Sequence, residues 1–111
     1  MGRILTEKDV EAAVKGGSVY AAGGGGWADH GRMLGYAAVS IGKPELVSVE
    51  ELANSDWVAT AAAIGAPAST TPWEMRGVDY IKAVQLLQDA LGEKLAGLMV
   101  GQNGKSSTLW A

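Results

Sequence analysis

The sequence contains no cysteine and only one histidine, and both facts narrow its possible chemistry. Without cysteine the chain forms no disulfide, binds no metal through a thiolate and offers no thiol nucleophile. A single histidine, His30, argues against a histidine-based metal centre within one chain. The sequence therefore predicts no metal site, and it leaves any cofactor unidentified.

An excess of positive charge and a long apolar run are also missing. The formal net charge is −3 and the basic residues form no stripe, which argues against a nucleic-acid partner. No continuous apolar run approaches the roughly 18 residues that a membrane span needs. Charged residues near the start occupy the place of a signal peptide's apolar stretch. We therefore expect a single cytoplasmic domain over residues 1–111, without a membrane or nucleic-acid partner.

Helical spacing and short apolar runs alternate along the chain. The spacing predicts helices over residues 7–15, 29–41 and 78–91, and the runs predict strands over residues 19–22, 46–49, 57–64 and 95–100. Such alternation is typical of layered domains in which helices cover a parallel sheet. The predicted fold class is therefore α/β, a layered domain with a mainly parallel sheet of about four strands and flanking helices.

Three of the predicted strands run into loops of small residues. In a parallel sheet these loops lie at the same edge, where ligands bind. Four consecutive glycines before a predicted helix also suit an anion or a carbonyl group, because backbone N–H groups are accessible there. A plain strand-to-helix turn without a ligand is the alternative. The predicted binding residues are Gly23, Gly24, Gly25, Gly26, Gly65, Ala66, Pro67, Gln102, Asn103 and Gly104.

Two nucleotide-binding patterns are nearly present but incomplete. Gly104-Lys105-Ser106 follows an apolar strand, as in a phosphate loop, but the position that needs the first glycine is Met99. The glycine run lacks the third glycine of a dinucleotide fingerprint, because position 28 is alanine. Neither pattern supports nucleotide binding.

The residues after the glycines carry the candidate acid/base groups. Asp29 and His30 could act as a pair, although neighbouring side chains on a helix point about 100° apart. Alternatively, Asp29 is an acid favoured in a first helical turn and His30 is a solvated side chain. Trp27 and Trp73 could form the floor under a ring or simply pack in a core or an interface.

Several short motifs together resemble a known family, the N-terminal domain of the S-methyl thiohydantoin desulfurases. That family is similar to domains found beside hydantoinase and oxoprolinase subunits. The motifs that match extend over nearly the whole chain: Asp9-Val10-Glu11, Gly23 to Gly26, Gly31-Arg32, Ile64 to Pro67 and Leu91-Gly92. The resemblance implies that family members are about three times as long as this chain and carry a second domain after the N-terminal one.

The resemblance implies hydrolysis of a small cyclic amide or thiohydantoin. The backbone N–H groups of residues 24–26 would hold a carbonyl or oxyanion, Gln102 and Asn103 would orient the ring, and Asp29 or His30 would move a proton. The loop Gly101–Lys105 lacks the acidic residue that the family shows there. We therefore expect activity only with a second domain or partner chain, in a homo- or hetero-oligomer. The alternative is a non-catalytic binding or assembly module whose glycine loops are turns.

Overall fold

The computed structural model describes residues 2–63 and 76–111. Their elements, in chain order, are β1 (Arg3–Ile4), α1 (Glu7–Tyr20), α2 (Ala28–Ile41), β2 (Glu45–Leu46), a 3-10 turn (Val49–Glu51), β3 (Trp57–Ala61), α3 (Gly77–Leu91), β4 (Leu95–Val100) and a second 3-10 turn (Ser107–Leu109). Among the described residues, no helix is both long enough and apolar enough to cross a membrane.

Helix α1 begins where the sequence predicts but continues further. The Asp9 carboxylate accepts hydrogen bonds from the Thr6 backbone N–H at 2.8 Å and from the Thr6 hydroxyl at 2.7 Å, which fixes the first turn. The helix then passes through Gly16 and Gly17 to Tyr20. The predicted strand over residues 19–22 is therefore wrong. The two glycines do not end the helix, and Gly17 instead allows another segment to approach it closely.

Helix α2 packs closely against α1 because Gly35 has no side chain at the contact. Val10 and Val14 of α1 are buried, and Gly35 of α2 faces Val10. A Cβ atom on residue 35 would lie 2.7 Å from Val10 Cγ1. The missing side chain therefore lets the two helices approach, and the 107–109 turn packs against both of them.

The strands form two small sheets among the described residues. β1 and β2 pair antiparallel, with Arg3 opposite Leu46, while β3 and β4 pair parallel around the α3 crossover. The mixed helix-and-strand class agrees with the α/β prediction, but the mainly parallel four-stranded sheet is wrong. One predicted strand is part of α1, and another is shortened to residues 45–46 and pairs with the segment at residues 3–4. Only β3 and β4 remain for parallel pairing.

The buried apolar core of the described residues is small. Val10 and Val14 are its buried hydrophobic side chains, and both lie on α1. Many large apolar side chains elsewhere are exposed, including Trp57, Ile81 and Met99. The α1–α2 pair is therefore the packed part of the molecule, whereas the β3–α3–β4 unit keeps much apolar surface in contact with solvent.

Candidate functional site

The glycine run forms the connection between α1 and α2. Gly23, Gly25 and Gly26 have positive φ angles of 98°, 80° and 81°, which glycine adopts without strain. The Gly25 carbonyl accepts hydrogen bonds from Ser106 N–H at 2.8 Å and from Ser107 N–H at 3.0 Å. The glycine loop, residues 23–26, is therefore bound directly to the segment that follows β4.

The glycine loop and the 104–107 segment lie too close together for a side chain at residue 25, 26 or 104. A Cβ atom on residue 25 would lie 2.5 Å from Gly104 Cα. A Cβ atom on residue 26 would lie 2.7 Å from Ser106 Cβ. The same segment also meets the helices: a Cβ on residue 17 would lie 2.2 Å from the Gly104 carbonyl carbon. Residues 104–107 thus lie in a groove bordered by glycine backbone.

A buried polar cluster lies beside this groove. His30 Nδ1 and Ser106 Oγ are 3.3 Å apart, and Trp110 Nε1 donates to Ser106 Oγ at 3.0 Å. Ser106 is fully buried and His30 is 6% exposed. With the hydroxyl oxygen accepting the indole N–H, the hydroxyl hydrogen can point to Nδ1 in the tautomer protonated on Nε2. The arrangement can therefore hold or move one proton between a hydroxyl and an imidazole.

Asp29, the other predicted acid/base residue, lies apart from this cluster. Its side chain is fully exposed and its carboxylate is 3.2 Å from Arg32 Nη1. His30 is buried, so the two neighbouring side chains point into different environments, as their helical geometry requires. The Asp29 carboxylate pairs with Arg32, whereas the His30 ring contacts Ser106.

The predicted binding residues are distributed in three ways. The glycine loop and Gly104 are in mutual contact, as described above. Gln102 and Asn103 are exposed in the loop after β4, and the Gln102 carbonyl accepts a hydrogen bond from Ser107 Oγ at 3.2 Å. Gly65, Ala66 and Pro67 lie outside the described residues. The structure therefore places one predicted loop against another, with the amide side chains at the rim.

Several residues of this cluster were not predicted from the sequence. Ser106 and Trp110 are central to it, and Gly31 is pressed against it: a Cβ there would lie 2.3 Å from the Lys105 carbonyl oxygen. One signal was available, because Gly31 and Gly35 are four residues apart and so share one face of α2. That spacing indicates a close backbone approach, but it does not identify the approaching segment.

A second polar network joins α1 to α2 near the site. Glu11 Oε1 accepts from Arg32 Nε at 3.0 Å and from the Tyr36 hydroxyl at 2.5 Å. The hydrogen bond from Tyr36, followed by that from Arg32, holds the pKa of Glu11 below its usual value. The same bond to Glu11 raises the pKa of Tyr36. This network stabilises the orientation of α2, which carries His30.

Among the described residues, no group of three or more histidine, aspartate and glutamate side chains is arranged to hold a metal ion. The donors nearest the cluster are one imidazole and two serine hydroxyls. The polar groups gathered at the site are glycine backbone amides, the His30 imidazole and the Ser106 hydroxyl.

Comparison with known proteins identifies a family. Residues 8–111 match the family described as S-Me-THD-like, N-terminal domain. No curated protein and no solved structure gives a significant match. The chain therefore belongs to the S-Me-THD-like N-terminal domain family, which confirms the resemblance inferred from its motifs. Four family motif residues, Val10, Glu11, Gly31 and Arg32, lie at the contact between α1 and α2, and Gly31 also faces Lys105 and Ser106.

Proposed function

We propose that this S-Me-THD-like N-terminal domain is part of a hydantoin-type hydrolase that acts on a small cyclic amide or thiohydantoin. The observation that supports it is the glycine loop beside the buried His30–Ser106 pair. This arrangement puts within one cluster a proton carrier that can activate an attacking water molecule and backbone N–H groups that can stabilise the oxyanion formed on the carbonyl-like carbon.

The binding role falls to Gly25 and Gly26. The Gly24 N–H donates to the Ala21 carbonyl at 3.0 Å, so it is already used within the loop. By contrast, no described residue accepts a hydrogen bond from the N–H groups of Gly25 or Gly26. These two groups hold the carbonyl or thiocarbonyl of the ring and stabilise the negative charge that develops on it.

The remaining roles follow from position. His30 takes up or delivers the proton, and Ser106 fixes its ring through the Nδ1 contact. Gln102 and Asn103, exposed at the rim, orient the ring through its amide groups. Asp29 keeps its exposed ion pair with Arg32 and has no part in the chemistry.

A second domain or partner subunit completes the enzyme in this proposal. Parallel strands are normally covered on both faces, since their residues are apolar on both. Here α3 lies on one face of the β3–β4 sheet, while Val58 and Met99 of the other face are 37% and 57% exposed. A homo- or hetero-oligomer would cover these side chains and supply the acidic group that the 101–105 loop lacks.

A non-catalytic binding or assembly module is the second candidate. The observation that favours it is the contact between Gly25 and Gly104, because it explains the glycines by internal packing alone. In that case the uncovered β3–β4 sheet would be the functional surface.

The test uses the full chain together with the product of the neighbouring reading frame. Hydantoin, an S-methyl thiohydantoin and a small lactam are incubated with the mixture, and ring opening or thiol release is followed by chromatography. The proposal expects turnover that His30→Asn abolishes and that the exposed control Asp29→Asn retains. A complex that assembles but converts none of the three would favour the assembly module.

A further inference from the structure

The β3–α3–β4 unit forms a half-open cavity that the proposed chemistry does not use. It has a volume of about 350 Å³ and lies between the sheet and α3. Ala59 and Ala61 of β3, Leu98 of β4, and Val84 and Leu87 of α3 are among its lining residues. This volume lies at the lower end of the range of small-molecule sites, roughly 300–1,000 Å³. The cavity can therefore hold one apolar group of moderate size.

Small side chains are the reason for the space. Where a packed interface between a helix and a parallel sheet would contain branched residues, β3 offers Ala59 and Ala61, and α3 offers Ala83. Protein interiors are otherwise filled to the density of organic crystals. An apolar group that enters this half-open cavity removes its own surface and that of the lining from water, which favours binding. Apart from Thr60 and Gln85, the lining is apolar or aromatic, so it suits an aryl or branched alkyl group.

Trp110 connects the cavity to the glycine loop. Its indole Nε1 donates to Ser106 Oγ in the buried cluster, and its ring is stacked on Tyr80 with the centroids 6.0 Å apart. Both aromatic residues line the cavity. A Cβ atom on Gly26 would lie 3.5 Å from Trp110 Cζ2. One side chain therefore contacts the proposed carbonyl site and forms a wall of the cavity.

We propose that this cavity receives the apolar substituent of the ring substrate, and that the enzyme prefers hydantoins or thiohydantoins with an aryl or branched alkyl group at ring carbon 5. The proposal rests on the proposed function for the ring but stands on the cavity for the substituent. A larger, open depression of about 800 Å³ at the amino ends of β3 and β4 is lined by charged and polar residues such as Asp56 and Lys94, and it does not suit such a group.

Three probes separate the ring from its substituent: 5-benzylhydantoin, unsubstituted hydantoin and toluene. The full chain is titrated with each while the methyl signals of Ala59, Ala61 and Leu98 and the amide signals of Gly25 and Gly26 are followed by NMR. We expect 5-benzylhydantoin and toluene to move the methyl signals. We expect 5-benzylhydantoin and hydantoin to move the glycine amide signals.

Filling the cavity provides the matched variant. Ala61→Leu occupies the space and should weaken toluene and 5-benzylhydantoin binding at least about tenfold in Kd, equivalent to about 1.4 kcal/mol. Ala96→Leu, on an exposed position of β4 outside the cavity lining, should leave both Kd values unchanged. If Ala61→Leu does not fold, the smaller change Ala59→Val is the substitute.

The outcomes are distinguishable. Methyl signals that respond to neither toluene nor 5-benzylhydantoin overturn the cavity proposal, and so does unchanged binding after the cavity is filled. A response to toluene but not to 5-benzylhydantoin also overturns it, because the substituent then does not reach the cavity. Methyl signals that move while the glycine amides stay unchanged support the cavity and contradict the proposed carbonyl site.

Discussion

Gly17 of α1 and Gly104 after β4 lie in direct backbone contact, so close that a Cβ atom on residue 17 would be 2.2 Å from the Gly104 carbonyl carbon. Gly16, the adjacent residue in the same helix, has no atom of another described segment within 4 Å of its Cβ position. The two glycines share a helix but not a role. One allows the 104–107 segment to dock, and the other faces open space.

The first prediction compares these neighbours. Gly16→Ala should raise the free energy of unfolding by about 0.5–1 kcal/mol, because alanine restricts the unfolded chain and favours the helix. Gly17→Ala should lower it by about 1–3 kcal/mol, since its Cβ would displace backbone. Urea denaturation followed by circular dichroism measures both. Equal effects of the two substitutions would contradict the docking of residues 104–107 on α1.

The second prediction concerns the buried hydroxyl of Ser106. Ser106→Ala removes the acceptor of the Trp110 indole N–H and the partner of His30 Nδ1, and an unsatisfied buried donor costs about 1–3 kcal/mol. The indole N–H signal of Trp110 should shift and exchange faster with solvent. Ser40→Ala is the control, because the Ser40 hydroxyl bonds a carbonyl of its own helix on an exposed surface. Its effect should stay within about 0.5 kcal/mol.

The start of α1 and the whole of α3 could be predicted from the sequence because their causes are local. Thr6 and Asp9 fix the first turn of α1, and the apolar spacing of α3 and its end at Gly92 identify that helix. The end of α1 could not be predicted, because Gly16 and Gly17 resemble a helix stop. Gly17 lies against Gly104, which is distant in the chain, and this contact is not visible in the local sequence. Val19 and Tyr20 are apolar but exposed, so a strand-like run gave the wrong element.

In the candidate site, too, the residues with a local sequence signal could be predicted, and those placed by long-range contacts could not. The glycine loop and His30 were predicted, since a run of glycines before a helix is visible in the sequence. Ser106 was not assigned to the site, because its burial and its contact with His30 arise only when the segment after β4 folds back onto α2. The orientation of Asp29 away from His30 follows from helix geometry, but only the structure shows which of the two is buried.

The third prediction is a dependence of stability on acid pH through Asp9. The hydrogen bond from Arg3, then those from Thr6, lower the pKa of Asp9 from 3.8 to about 2. Its carboxylate therefore stabilises the folded state fully above pH 4, and this contribution is lost as the pH falls toward about 2. Asp9→Asn should flatten the decline of Tm between pH 4 and pH 2, whereas Asp89→Asn on the exposed face of α3 should not.

The fourth prediction concerns the Glu11 network between α1 and α2. The hydrogen bonds from Tyr36 and Arg32 can be separated by a double-mutant cycle with Tyr36→Phe and Arg32→Gln. Because both donors bind the same Glu11 oxygen, their effects on the free energy of unfolding should not add, with a coupling of about 0.5 kcal/mol or more. Additive effects within about 0.3 kcal/mol would show that the two bonds act independently.

The fifth prediction addresses the uncovered face of the parallel sheet. Alternate strand residues point to opposite faces, so Val58 and Met99 point away from the cavity that Ala59 and Leu98 line. If a partner chain covers this face, Met99→Lys places a charge in the interface and should weaken association at least about tenfold, which is about 1.4 kcal/mol. Analytical ultracentrifugation across a range of concentrations measures this, first for the chain alone and then with the neighbouring gene product.

Val19→Lys, at an α1 position that is 75% exposed, is the control for added charge. A Met99→Lys variant that associates as strongly as the control would show that the partner binds elsewhere, and the β3–β4 sheet would then have to be stable with one face open.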